Sequence, residues 1–242
     1  MLALHGFTGG GQDFAPLAAS CSHQMHAPDL PGHRDASFTV CKHALSIPSL
    51  ATSLNALARD NRVVMGYSMG ARVALKVASD VPLRGLILIS GTPGISDEEQ
   101  RAKRRVQDHE LADHIEAVGL QQFLREWSQK PIIATQRRAS EDVRAALSET
   151  RISRSAMGLA KALRGYGTGS MAPLWSELPN ISCPTLLITG EDDPKFTQIA
   201  HQMSVKLPKA THASLSNLGH APHFEAPQAV GEIITEFLSN LP

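Results

Sequence analysis

The pentad Gly66-Tyr67-Ser68-Met69-Gly70 sets a serine between two glycines, behind the apolar run Arg62-Val63-Val64-Met65 and ahead of Ala71, Val73, Ala74, Val77 and Ala78 at helical spacing. A strand, a tight turn and a helix in that order force the serine into a strained backbone conformation, with its hydroxyl pointing out of a sheet toward substrate. Small residues are needed at 66 and 70, where neighbouring backbone comes close. A serine hydroxyl is a poor nucleophile or base at neutral pH, so it needs an imidazole within hydrogen-bond reach and a carboxylate to orient that imidazole. Both occur downstream, in the order Ser, Asp, His. The run Thr185-Leu186-Leu187-Ile188-Thr189 ends in Gly190-Glu191-Asp192-Asp193, and the next strand pattern ends in Asn217-Leu218-Gly219-His220. Asp193 and His220 are the expected partners of Ser68. Asp192 competes for the acid role, and spacing does not exclude it. Among the 11 histidines, His223 is the nearest rival, but only His220 joins a preceding glycine to the turn between the last strand and the last helix.

Charge developing on a substrate oxygen needs preorganised donors, commonly the amide after the nucleophile and one from a loop after an early strand. Here these are the backbone N–H groups of Met69 and of Phe7, in His5-Gly6-Phe7-Thr8-Gly9-Gly10-Gly11. The glycines also suggest a phosphate-binding loop, but no G-K-[ST] follows them.

These parts need a scaffold. Short apolar runs (Met1 to Leu4, Gln24 to Ala27, Arg62 to Met65, Leu86 to Ile89, Thr185 to Thr189, Thr211 to Ser216) alternate with helical stretches. That alternation predicts a mostly parallel α/β sheet of about six strands with helices on both faces. Ala229, Val230, Ile233, Ile234, Phe237 and Leu238 form an apolar stripe that packs the last helix on the core. Residues 97–178 are charged, helical in pattern and without a convincing strand, too long for a structureless loop. They are expected to form a helical insertion over the strand ends, able to act as a lid; a peripheral excursion without substrate contact is the alternative. The domain expectation is therefore a core over 1–96 and 179–242, with the insertion at 97–178.

With 242 residues the chain can bury a sizeable core, and its 23 basic and 23 acidic residues create no global field for nucleic acid or an anionic membrane. Cys21, Cys41 and Cys183 are far apart and lack metal-ligand spacing, which suggests reduced thiols. There is no apolar run long enough for a membrane span and no secretion segment. A cytoplasmic location is the expectation; oligomeric state is not legible.

Together, Leu4-His5-Gly6-Phe7-Thr8-Gly9, Asp29-Leu30-Pro31-Gly32-His33, Gly66 to Arg72, Gly190 to Phe196 and Gly219-His220 resemble the MenH-type α/β hydrolases. These are 2-succinyl-6-hydroxy-2,4-cyclohexadiene-1-carboxylate synthases of menaquinone biosynthesis. The similarity runs nearly end to end, including Arg101 to Asp108, Glu126 to Pro131 and Leu163 to Gly169. The resemblance implies the α/β-hydrolase fold, no metal or organic cofactor, and a small, multiply anionic carboxylate substrate. It implies elimination of pyruvate, with Ser68, activated by His220 and Asp193, acting as base. Arg72, one helical turn beyond Ser68, would grip a substrate carboxylate through its bidentate fork; an internal ion pair is the alternative. Arg104 and Arg164 match lid arginines assigned to the other carboxylates. Tyr67 and Trp127 either shape the pocket or are ordinary buried aromatics.

The same machinery would also serve a carboxylester, thioester or carbon–carbon bond hydrolase, or survive in a ligand-binding protein that has lost catalysis. Three departures from the family pattern stand out. The chain starts on what should be the third strand, so the opening hairpin is expected to be absent and the sheet smaller. Arg34 replaces a usual glycine after Pro31-Gly32-His33. Met171 stands where a polar residue is usual, which puts one lid contact in question.

Overall fold

In the computed structural model, which describes residues 1–21, 23–33, 45–58 and 62–242, five parallel strands form one sheet in chain order. They are β1 (Leu2–Leu4), β2 (Val63–Tyr67), β3 (Gly85–Ile89), β4 (Thr185–Gly190) and β5 (Ala210–Leu215). The first four are buried at every position, which is why they read as continuous apolar runs rather than as alternating ones. Alternate side chains supply two separate cores. Leu2, Leu4, Val64, Leu86, Leu88 and Leu187 face one; Ala3, Met65, Ile87, Ile89, Leu186 and Ile188 face the other.

The sixth expected strand, Gln24 to Ala27, is present only as a single bridge between His26 and Leu2. His26 N–H donates to Met1 O, and Ala3 N–H donates to His26 O, both at 2.8 Å. The next ladder bond would need an N–H at residue 28, and that residue is Pro28. Two positions considered in the sequence, Arg34 and Cys41, lie outside the described residues.

The helices α1 (Ala15–Ser20), α2 (Ile47–Ala58) and α3 (Met69–Asp80) follow the first two strands. Leu50 of α2 and Val77 of α3 pack into the first core, Leu17 of α1 into the second. From β3 to β4 the chain is helical, without a strand among the described residues: α4 (Glu98–Trp127), α5 (Pro131–Ala134), a 3₁₀ turn at Thr135–Arg138, α6 (Glu141–Ile152) and α7 (Ala156–Tyr166). Asp97 caps α4, accepting from Gln100 N–H at 2.8 Å. The helix is interrupted at Gly119, whose φ of 76° suits glycine. The last helices, α8 (Pro194–Lys206), α9 (Pro222–Glu225) and α10 (Pro227–Ser239), return to the sheet. Met203 of α8 enters the first core, while Val230, Ile234 and Leu238 of α10, spaced by four, enter the second.

From β1 the chain moves outward to His26, whereas β2 to β5 build in the opposite direction. The carboxyl ends of β1 and β2 therefore flank the switch point, where open α/β sheets place their sites. Ile234, fully buried in the second core, tests the packing of α10: Ile234→Ala should lower unfolding free energy by about 2–5 kcal/mol in chemical denaturation. A loss below 0.5 kcal/mol would contradict this packing.

Candidate active site

The loops after β1, β2, β4 and β5 converge at the carboxyl edge of the sheet. Ser68, between β2 and α3, has φ 50° and ψ −104°, and its N–H donates to Ile89 O at 2.9 Å. A Cβ on Gly66 would lie 2.4 Å from Gly70 O, and one on Gly70 2.1 Å from Leu4 O. The two glycines therefore let α3 start hard against β1 and β2.

His220 Nε2 lies 3.0 Å from Ser68 Oγ. Its Nδ1 lies 2.6 Å from Asp193 Oδ2. Both residues are buried. Asp193 also caps α8, with its Oδ1 accepting from Phe196 N–H at 3.4 Å, so one side chain orients the imidazole and starts the helix. Asp192 points away and pairs with Arg138 at 2.5 Å. Between the two acids left open by spacing, the geometry selects Asp193. His223, the rival histidine, is buried among Tyr67, Phe14 and Phe224, with no hydrogen bond on either ring nitrogen among the described residues. It packs.

The His220 loop is held from the helical segment. Glu225 accepts from Gly219 N–H at 2.9 Å and from Thr135 Oγ1 at 2.8 Å. Arg138 reaches Asn217 O at 2.8 Å, and a Cβ on Gly219 would strike Thr135.

A cavity of about 750 Å³ lies over Ser68, lined by Phe7, Met69, Arg72, Arg104, Trp127 and His220 among others. The Met69 N–H is in the first turn of α3, where it has no partner within the helix. Phe7 packs edge-on against Trp127, ring centroids 5.5 Å apart. The preceding His5 ring bridges two loops: Leu30 N–H donates to Nε2 at 2.8 Å, and Nδ1 faces Gly6 O at 2.8 Å. Tyr67 lines the cavity and packs on His223 at 4.3 Å. Burial raises its phenol above the ordinary range.

The arginines divide. Arg72 is buried, and its Nη1 donates to Tyr166 O at 2.9 Å and lies 3.8 Å from Met171 Sδ. No carboxylate pairs with it among the described residues, so the internal ion pair considered from sequence is not what it makes. Burial, and then the positive charge of Arg104, push its guanidinium down to about 10; it stays protonated at neutral pH. Arg104 reaches Asp108 at 2.8 Å, which also accepts from Gly169 N–H at 2.9 Å.

Arg164 corrects the sequence expectation. Its guanidinium is held by Asp113 at 2.5 Å and Glu116 at 2.7 Å, and it does not line the cavity. One helical turn along α7 from Ala160, it faces the acidic flank of α4 instead. The guanidinium that sequence reasoning missed is Arg151, on α6. It lines the cavity with Gln136 and Asp13, donates to Gln136 Oε1 at 2.6 Å, and makes no ion pair among the described residues. Burial lowers its pKa. Nothing local in Glu149-Thr150-Arg151 marks it, because only the fold of α6 over the sheet turns it inward. Asp13, also unanticipated, accepts from Gly10 N–H at 3.0 Å, and burial pushes its carboxyl up to about 6.

No cluster of metal-ligating side chains occurs among the described residues, and no helix is long and apolar enough to cross a membrane.

Residues 1–233 match the model of the Alpha/beta hydrolase family. A Bacillus subtilis (strain 168) relative is 34% identical over 100% of this chain and 90% of its own length; its name assigns it 2-succinyl-6-hydroxy-2,4-cyclohexadiene-1-carboxylate synthase activity provisionally. The synthase of that name from Yersinia enterocolitica is 30% identical over 98% of this chain and 85% of its own. The structure of MenH from S. aureus superposes with a TM-score of 0.92 at 32% identity, covering 98% of this chain and 92% of that one.

Acid stability tests the buried imidazoles. Burial holds His5 down to about 4, His223 down to about 3, and His33 well below its usual 6.5. The unfolded chain rebinds those protons below about pH 6.5, so stability is present above that value and is lost as pH falls toward 4. Asp13 acts in the opposite sense between about 6 and 3.8, one group against three. The guanidinium-chloride midpoint should therefore fall between pH 7 and pH 5, by a free energy on the order of a few kcal/mol. A flat or rising midpoint would contradict the burial of these rings.

Proposed function

Because the chain belongs to the alpha/beta hydrolase family and matches synthases along its whole length, we propose that it makes 2-succinyl-6-hydroxy-2,4-cyclohexadiene-1-carboxylate. It would do so by eliminating pyruvate from 2-succinyl-5-enolpyruvyl-6-hydroxy-3-cyclohexene-1-carboxylate, a reaction of menaquinone biosynthesis. The observation that carries the substrate class is a pair of guanidinium groups, Arg72 and Arg151, that line the same cavity as Ser68 and make no ion pair among the described residues. A buried cation costs free energy unless an anion meets it. A substrate with several carboxylates supplies that anion, and the arginine fork matches it bidentately.

In this reading Ser68 Oγ passes its proton to His220 Nε2 as it takes a proton from the carbon beside the succinyl ketone. The Asp193 carboxylate steadies the imidazolium. The N–H groups of Met69 and Phe7 hold the ketone oxygen as it becomes an enolate. The electron pair then moves through the ring double bond and breaks the carbon–oxygen bond to the enolpyruvyl group. The departing enolate takes up a proton and becomes pyruvate. Helices over 97–178 act as the lid, with Arg104 and Trp127 completing the wall.

Coupled detection of pyruvate with purified protein tests the activity. Rapid turnover of activated esters without pyruvate release would overturn it in favour of a hydrolase. Ser68→Ala should lower kcat by about 10²–10⁴-fold with the fold retained; near-normal kcat would remove the serine from the chemistry.

The arginines give a separate comparison. Arg72→Ala and Arg151→Ala should each lower kcat/KM by about 10- to 100-fold, mostly through KM. Arg164→Ala should leave both constants within about two-fold, since its partners are surface acids. The reverse order would move the carboxylate site to Arg164.

A further inference from the structure

Behind the catalytic cavity lies a second one of about 530 Å³, between the end of α4, α5 and α6. Four arginines line it, Arg125, Arg137, Arg144 and Arg151, and no aspartate or glutamate does. Opposite charges balance over the whole chain, so this concentration of positive charge is local. Arg137 and Arg144 are exposed, and neither makes an ion pair among the described residues. Arg125 donates to the neutral Gln122 at 2.6 Å. The neighbouring Arg138 shows the contrast, tied to Asp192 at 2.5 Å.

The two cavities share a wall. Trp127, Ile133, Gln136 and Arg151 line both. In that wall Trp127 Nε1 and Arg151 Nε are buried with no hydrogen-bond partner among the described residues. A buried donor without a partner costs about 1–3 kcal/mol, so the shared wall holds two donors that an acceptor on either side of it would stabilise.

We infer that the second cavity is a docking vestibule that captures a polycarboxylate anion beside the Trp127–Arg151 wall of the Ser68 cavity. The inference rests on the reading of the substrate as multiply anionic. A cleft lined by one sign of charge focuses the field and raises the local concentration of the oppositely charged ligand. The contribution falls on capture rather than on the chemical step, and salt screens it, with a Debye length of about 10 Å at 0.1 M.

The test compares the unmodified chain with an Arg137→Gln/Arg144→Gln double variant and an Arg137→Lys/Arg144→Lys double variant. Pyruvate release from the enolpyruvyl substrate is followed from about 20 mM to about 500 mM salt. The glutamine pair should lower kcat/KM about five-fold at low salt, flatten its salt dependence and shift KM rather than kcat. The lysine pair should keep most of kcat/KM, because charge and not the planar fork is required. Pyruvate release with kcat/KM and salt slope unchanged in the glutamine pair would end the vestibule proposal alone. No pyruvate release from the unmodified chain would instead end the synthase reading beneath it.

Discussion

Ser68 is held at a positive φ of 50°, a conformation that costs a non-glycine residue about 1–3 kcal/mol and persists only where the surroundings over-determine it. Here they do: β2 ends beneath it, α3 starts immediately after it, and Gly66 and Gly70 let the backbone of β1 and α3 close to distances that any Cβ would forbid. The same crowding starts α3 at Met69, so the amide expected to hold a developing oxyanion and the arginine one turn further on are placed by one bend. A hydroxyl fixed this way is held against the His220 imidazole without further ordering.

The partners are supplied by parallel geometry. Each strand delivers its following loop to the same edge, and Asp193 and His220 arrive from two neighbouring strands paired from Thr185–Ala210 to Gly190–Leu215. Glu225, Thr135 and Arg138 then tie the His220 loop to the helical segment. The wall over the cavity and the loop that carries His220 are thus joined by hydrogen bonds, not merely adjacent.

Charge is distributed unevenly for a chain with no net charge. Arg104 and Arg164 are neutralised by acids of α4, whereas Arg72 and Arg151 make no ion pair among the described residues and line a cavity, where an anion is attracted more strongly than at the open surface. Met171, flagged as a departure in sequence, packs its thioether against Arg72. It takes up space beside the guanidinium without competing as an anion.

Much of this was legible from residue order. The elbow pentad, the alternation of apolar runs and the Ser, Asp, His order identify the fold and the three side chains that meet at the strand ends because they are local patterns: period, glycine spacing and strand-end loops follow from neighbouring residues. The sixth strand failed on one atom, the N–H that Pro28 lacks. Two choices could not be settled from the chain alone. Asp192 and Asp193 are adjacent and chemically identical, and only the start of α8 turns one toward His220 and the other toward Arg138. Arg164 and Arg151 sit on helices over the cavity with no sequence mark to separate them; which one faces inward depends on how α6 and α7 pack on α4. Sequence determines which groups exist and the local turns that carry them, while direction across a cavity belongs to helix packing, a sum of distant contacts that no short window contains.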